Sequence, residues 1–424
     1  MAQRPEPGIA QQAGKRDFDV LVAGAGYVGL ATAVSIKQAR PGLAVAVVDA
    51  APEGVWQKDG RASAIAAAAC RMLDRLGCWG ELLPQAQPIT DMIVTDSRST
   101  DPVRPVFLTF DGDVDEGEPF AHMIANVALN GALRRRAAEL GIDLVEGVAV
   151  SSFDTDGGRA RVHLADGLVF DTRLLIAADG VKSGLRDMAG IKTMHWDYGQ
   201  SGIVCTVGHE RPHGGRAEEH FLPAGPFATL PLKPDANGKN RSSIVWTECT
   251  ADAERLVSGD PFIFEVELEQ RFGLKLGEIS VETKPRAFPL GLTLARAFVK
   301  PRFALAGDAA HGIHPIAGQG LNLGFKDAAA LAETVVEADR LGQDIGALDV
   351  LEGYERWRRF DTVRMGITTD VLNRLFSNDS TPLRTVRDIG LGLVDRMPAL
   401  KTYFIKQASG LTGETPRLLR GEAI

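Results

Sequence analysis

The sequence predicts an α/β fold: a Rossmann-like nucleotide-binding unit of parallel strands and helices, interrupted by a β-rich stretch. Three observations carry this. The apolar run at 18–23 (FDVLVA) ends in Gly24-Ala25-Gly26-Tyr27-Val28-Gly29 and passes into an Ala-rich helical segment at 30–39. The run at 303–306 (FALA) delivers Gly307 and Asp308 at its carboxyl end, where open α/β sheets hold their ligands. Between them residues 192–286 turn β-like. Candidate strands there lie at 203–207, 220–222, 228–230 and 242–246, with breaks at Gly225-Pro226 and 234–241.

Composition narrows the function classes. The chain has 424 residues, 45% hydrophobic and 24% charged, enough for two domains or more. A formal net charge of -8 gives no general attraction for nucleic acid. Cysteines at 70, 78, 205 and 249 form no CxxC pair, which fits a reduced compartment and supplies no metal-ligand spacing. No apolar run reaches the length of a membrane span. Residues 1–16 are rich in Gln, Pro and Gly without an apolar core, so they read as a disordered tail rather than a signal peptide. The expected location is cytoplasmic, with peripheral association to the inner membrane left open.

After the first helix, a strand at 43–48 ends at Asp49, 20 residues past Gly29. Strand, GxGxxG, helix and an acid closing the next strand form a dinucleotide fingerprint. Gly24 permits the tight turn, Gly26 the close approach of a pyrophosphate, and Gly29 the packing of helix on sheet. Asp49 is placed to accept from ribose hydroxyls. Asp59-Gly60-Arg61 leads into a helix ending near Leu76-Gly77, and a cation near a helix N-terminus needs an anionic partner. Residues 84–119, with five prolines and an acidic loop at 111–118, read as an excursion into a second domain.

The stretch at 122–133 (HMIANVALNGAL) reads as a helix, and Arg134-Arg135-Arg136 as its solvated face. A strand follows at 141–150, then a hairpin of 159–164 and 168–173 turning at Asp166-Gly167. A buried strand at 174–179 (LLIAAD) precedes Gly180, Ser183 and Arg186. Beyond Asp308 a Gly- and Pro-rich loop leads into a helix from Leu321. Glycines at 318, 320 and 324 let main chain approach a flat ligand, and the helix N-terminus favours negative charge on it. His311 and His314 have HxxH spacing but no third ligand, so no metal is expected. Helices follow at 348–376 and 381–407. The second carries Leu383, Val386, Ile389, Leu393, Leu400, Phe404 and Ile405 beside Arg384, Arg387 and Lys401. It suits an interfacial helix, a partner surface, or packing on its own domain.

The residues at 314–324 (HPIAGQGLNLG), followed by Phe325, Lys326 and Asp327, resemble the signature of the UbiH/VisC ubiquinone-biosynthesis hydroxylases, a family of FAD-dependent aromatic monooxygenases. The elements at 59–65 and 178–186 (ADGVKSGLR) are similar to two others of that family. The helix at 122–133 departs from its pattern, with Val127 where an arginine is usual.

The resemblance implies a Rossmann-like FAD-binding domain of the hydroxybenzoate-hydroxylase type, discontinuous over 17–83, 120–190 and 287–345. It implies a β-rich substrate domain at 84–119 and 191–286 and a helical C-terminal region at 346–424. Cofactor contacts would come from Gly24, Gly26, Gly29, Asp49, Arg61, Asn126, Asp179, Gly307, Asp308, Pro315, Gly318, Gln319, Gly320 and Asn322. In the family pattern the arginine corresponding to Arg186 makes a supporting ion pair, and pairing with Asp179 is one option here. NAD(P)H, bound transiently, or another electron donor would be the reductant. The implied reaction passes through a flavin hydroperoxide to hydroxylate a polyprenylated phenol with molecular oxygen, the ring lying near Tyr198, Phe221, Pro223 and Leu230. His311 or His314 would assist phenol deprotonation or serve structure alone. A hydroxylase of another aromatic substrate, a flavin reductase and a non-catalytic flavin-binding scaffold in a biosynthetic complex stay open.

Overall fold

A computed structural model describes residues 16–96, 106–111, 113–115, 117–314, 319–376, 409–411 and 413–424. The expected C-terminal helix at 381–407, with its stripe, lies outside the described residues, as do Pro315 and Gly318.

The first sheet is built on strand Arg16–Ala23, whose apolar run Val20, Leu21 and Val22 is fully buried without alternation. It pairs in parallel with Val169–Ala177 on one side and Val45–Asp49 on the other. Asp143–Glu146 extends the parallel set beyond Val45–Asp49, and Phe303–Leu305 extends it beyond Val169–Ala177. The carboxyl ends of Arg16–Ala23, Val169–Ala177 and Phe303–Leu305 therefore lie side by side. Each is followed by one of the motifs singled out above. Two strands expected separately, 168–173 and 174–179, are one: Val169–Ala177 serves the hairpin with Ala160–Leu164 at its start and the parallel sheet at its end.

A nine-stranded, largely antiparallel sheet takes strands from Asp91–Asp96 and Val106–Asp111, from 193–249, and from the later Ile279–Val281, Arg286–Ala295 and His311–Gly312. One face is covered by helices Thr250–Ser258 and Pro261–Phe272, which pack Leu256, Phe264 and Leu268 on Ile203, Ile244 and Trp246. The composition of 192–286 had suggested strands throughout. These helices were legible locally, because Asp260 caps Phe262 N–H and Pro261 occupies the first turn.

A three-stranded sheet of Ala62–Ala66, Ala121–Ala125 and Gln87–Ile89 stands apart. It corrects two expectations. The stretch from His122 is strand as far as Ala125 and helix only from Asn126, and the segment after Arg61 is strand before the helix Ala67–Arg75 begins. Both runs mix small and apolar residues that suit either state. Their antiparallel pairing, a long-range contact, decides for strand.

Candidate flavin site and the sheet face beside it

The glycines of the fingerprint divide by what a Cβ would meet. At Gly24, with φ +113°, it would lie 2.3 Å from the Ala178 carbonyl oxygen, and at Gly29 1.9 Å from that of Gly24. Those two glycines are required by the protein's own packing. At Gly26 a Cβ would meet nothing within 4 Å. Gly26 is also the N-cap of helix Tyr27–Ala39, with no side chain capping it, so the first amides of a 13-residue helix face open space. That is an anion cradle. Asp49 sits beside it, accepting from Ala25 N–H at 2.5 Å and Ala51 N–H at 2.7 Å.

The second glycine set divides the same way. Gly324 was expected to admit ligand, yet its Cβ would lie 2.5 Å from Val28 Cγ2, so its bareness lets helix Gln319–Arg340 cross helix Tyr27–Ala39. A Cβ on Gly320 meets nothing. Gly307, with φ +61°, turns the chain after Phe303–Leu305 and packs against Val28. Asp308 follows with its carboxylate accessible and without a hydrogen-bond partner among the described residues. Desolvation by the surrounding protein raises its pKa. The buried Asp327 charge adds to the rise, while His311 and Arg61 oppose it.

Arg61 precedes a strand rather than a helix N-terminus, and it still has an anionic partner. It grips Asp59 with two hydrogen bonds of 2.8 Å. Asp59 also accepts from Tyr27 Oη at 2.7 Å and Asn126 Nδ2 at 3.2 Å. Burial works to raise the Asp59 pKa, but the bonds from Arg61 and Tyr27 outweigh it, and the net shift is downward. The cluster joins the first residue of the fingerprint helix to the first residue of helix Asn126–Glu139. Tyr27 was not foreseen as a site residue. Its place one residue past Gly26 was the available signal.

Two expectations change. Asn322 spends both ends of its amide on strand Ala62–Ala66, accepting from Ala66 N–H at 2.9 Å and donating to Ala64 O at 3.0 Å. It acts as a surrogate edge strand, so its side chain is committed to protein. Arg186 does not pair with Asp179. It donates to the carbonyls of Val181 and Ala309 at 3.1 and 3.0 Å, tying the loop after Val169–Ala177 to the turn Gly307–Ala309. Asp179 is exposed and accepts from Leu185 N–H at 3.2 Å.

Behind Gly307 lies a charged network that the sequence reading missed. Asp327, fully buried, accepts from Gly307 N–H at 2.9 Å, from His311 Nε2, and from Arg358 Nε at 2.8 Å. Desolvation alone would raise its pKa, but the charges and hydrogen bonds of His311 and Arg358 reverse this, and the net shift is downward. Arg358 and Lys326 converge on Asp361 at 3.0 and 2.5 Å. His314 differs from His311. Both its ring nitrogens are buried and lack a partner among the described residues, and burial pushes its pKa down to about 4. Tyr198 meets it edge-on at 5.3 Å.

Tyr198 stands at a bulge in strand Thr193–His209. Strand alternation puts Phe221 and Leu230 on the sheet face opposite the two covering helices, because Leu222 and Phe227 point into that helical core. Pro223 lies in the turn between their strands. The same alternation in Arg286–Ala295 adds Phe288 and Leu290 to the face. The Arg61 guanidinium lies 5.4 Å from the Phe288 ring, so the glycine cradle and the apolar sheet face meet at Arg61. Phe288 and Leu290 were overlooked, although their period of two was readable in the sequence.

A dinucleotide fits these residues. The cradle is open at Gly26 and Gly320, and Asp308 offers a carboxylate with no competing donor among the described residues. Comparison with known proteins gives the same answer. Residues 17–359 match the family described as FAD binding domain. The chain is 42% identical over 410 residues to ubiquinone hydroxylase UbiL of Rhodospirillum rubrum, covering 95% of this chain and 92% of that protein. It is 32% identical to 3-demethoxyubiquinol 3-hydroxylase of Escherichia coli, over 93% of this chain and 98% of that one.

The chain belongs to the FAD-dependent ubiquinone hydroxylases. Like them, it is a flavoprotein monooxygenase, of a family in which NAD(P)H is the typical electron donor. Solved structures of lower identity share the hydroxylase fold. p-Nitrophenol 4-monooxygenase PnpA of Pseudomonas putida superposes with a TM-score of 0.77 at 19% identity, over 94% of this chain and 99% of that one. PqsL of Pseudomonas aeruginosa gives 0.72 at 20%, over 89% and 99%.

Proposed function

We propose that this hydroxylase acts on the aromatic ring of a polyprenylated phenol or quinol in ubiquinone biosynthesis. The observation that carries the reading is the junction at Arg61, where the cofactor cradle opens onto a sheet face bearing Phe221, Leu230, Phe288 and Leu290. The relatives' names, ubiquinone hydroxylase and demethoxyubiquinol hydroxylase, support the substrate class.

FAD, when bound, supplies the oxygen activation and insertion. The protein's residues do the rest. Gly26 and the amides after it hold the pyrophosphate, Asp49 the adenosine ribose, and Asp308 the ribityl chain. Tyr27, Asp59, Arg61 and Asn126 form the wall on the substrate side. Neutral His314 offers a hydrogen-bonding nitrogen without carrying charge into a dry site, where water would divert the reaction. Asp179, Gln319 and Asn322 contribute main chain or second contacts.

In this reading the cofactor unit spans 17–83 and 120–190 and resumes after 295 rather than at the expected 287, because strand Arg286–Ala295 pairs within the nine-stranded sheet of the substrate unit at 84–119 and 191–295. The chain's working place is the cytoplasm, peripheral to the inner membrane. The test is aerobic turnover of purified FAD-loaded protein on phenols with zero, one and several isoprene units. Products are followed by mass and uncoupled hydrogen peroxide is measured alongside. Each CH₂ buried contributes about 0.8 kcal/mol, so the prenylated phenols should win by a wide margin. Equal efficiency on the tail-less phenol removes the lipid substrate, and a product without added oxygen removes the hydroxylase.

A further inference from the structure

Two of the outward helix faces among the described residues carry several large exposed apolar side chains, and they differ in charge. On helix Pro261–Phe272, Phe262, Ile263 and Val266 are exposed beside the exposed acids Glu265 and Glu269. On helix Leu348–Phe376, Phe360, Ile367 and Val371 are 72, 56 and 53% exposed. Their spacing of seven and four residues puts them on one line along the helix. Arg356, Arg359, Arg364 and Arg374 flank that line. Each pairs with an acid three or four residues earlier, and in every pair the guanidinium is more exposed than the carboxylate. Asp361, beneath Arg364, is further neutralised by Lys326 and Arg358. The outward face is therefore apolar along its middle and cationic at its edges.

The inner face of this helix reaches both parts of the site. Arg358 holds Asp327 behind Gly307. Asn373 donates to Gln200 Oε1 at 2.9 Å, and Gln200 donates to Ala224 O at 2.6 Å, in the turn between the strands of Phe221 and Leu230. Among the described residues no helix is long and apolar enough to cross a membrane.

We propose that the outward face of helix Leu348–Phe376 docks on an anionic phospholipid surface, with Phe360, Ile367 and Val371 in the acyl boundary and the arginines among the headgroups. This rests on the reading above that the substrate is a lipid-borne phenol, and it names the surface through which that lipid is approached. The chain's formal net charge of -8 opposes indiscriminate adsorption to anionic lipid, so a local cationic rim is needed to choose the docking face. The acidic rim of Phe262 and Ile263 makes that patch the internal control.

The experiment is co-sedimentation of full-length, FAD-loaded protein with phosphatidylcholine vesicles, with and without phosphatidylglycerol. Wild type should bind the anionic vesicles and release with salt. The double variant F360E/I367E should bind about tenfold more weakly or worse, with flavin content and melting temperature unchanged. F262E/I263E should bind as wild type does. Equal binding of wild type to neutral vesicles overturns the role of the arginines, and equal losses in both variants overturn the choice of face. No vesicle binding by wild type, with F360E/I367E lowering the melting temperature, shows the face covered by protein and ends the proposal. Turnover of a detergent-dispersed prenylated phenol is measured in parallel. Its absence alongside intact vesicle binding counts against the substrate reading and leaves the docking surface standing.

Discussion

At the scale of single residues, the space beside each glycine separates packing from ligand contact. Gly26→Val adds a side chain where the protein has nothing, so the fold should persist while FAD binding is lost, as flavin titration of the apoprotein would show. Gly24→Ala meets the Ala178 carbonyl and takes a φ that L residues avoid. It should lower stability by about 1–3 kcal/mol or more, read by urea denaturation. A reversed pattern would exchange the two roles. Asp308→Ala removes a carboxylate without a hydrogen-bond partner among the described residues and should cost FAD about 1.5–3 kcal/mol, roughly tenfold to a hundredfold in Kd. Unchanged flavin retention on dilution would count against Asp308 as a ligand.

His314 gives a pH dependence with a definite sign. Its folded pKa, about 4, lies below the 6.5 of the exposed side chain, so the unfolded chain binds the extra proton. Its contribution is therefore intact above pH 6.5 and lost as pH falls from there toward 4. At pH 5 the loss is about 2 kcal/mol. Replacement by Phe should flatten the fall in urea midpoint between pH 7 and 5, and an unaltered slope would assign that acid sensitivity elsewhere.

At the scale of elements, helix Leu348–Phe376 connects the cofactor turn with the rest of the fold. Tyr354 Oη donates to Leu305 O at 2.8 Å, and Arg358 reaches Asp327 one turn later. Arg358→Met leaves the Asp327 carboxylate buried with one cation fewer. It should destabilise the protein by about 3–5 kcal/mol, and weaken FAD binding because Gly307 N–H hangs on that carboxylate. Denaturation of apo and FAD-loaded protein in parallel checks both effects. The glycine fingerprint and its flanking strand and helix were legible because they depend on neighbours in sequence. The strands at 62–66 and 121–125 were not, since their short runs become strands only by pairing with each other.

At the scale of the molecule, cofactor and substrate regions are joined by contacts that no local pattern encodes. Asn126 and Arg61 were named separately from the sequence. Only the fold brings both to Asp59, and only the fold adds Tyr27. The same holds for Arg61 and Phe288, which are far apart in the chain and stack across the junction of the two regions. Phe288→Ala should leave FAD affinity unchanged and weaken prenylated phenols, raising KM and peroxide release together. A parallel loss of FAD affinity would instead make Phe288 a support for Arg61.

The sequence by itself determined the α/β class, the two glycine-rich turns, the flavin cofactor and the hydroxylase family. Each of these is written in short motifs whose chemistry needs a few residues at fixed spacing. Tertiary structure decided what each motif residue does. Asn322 and Gly324 carry the same signature as Gly320, yet they face a strand edge and a crossing helix, while Gly320 faces open space. It also decided which charges meet, since Asp327, Arg358 and Asp361 become one network only when two helices pack. The physical reason is range: turns, caps and close approaches are set by bonded neighbours, whereas burial and pairing of side chains depend on elements that the chain brings together only on folding.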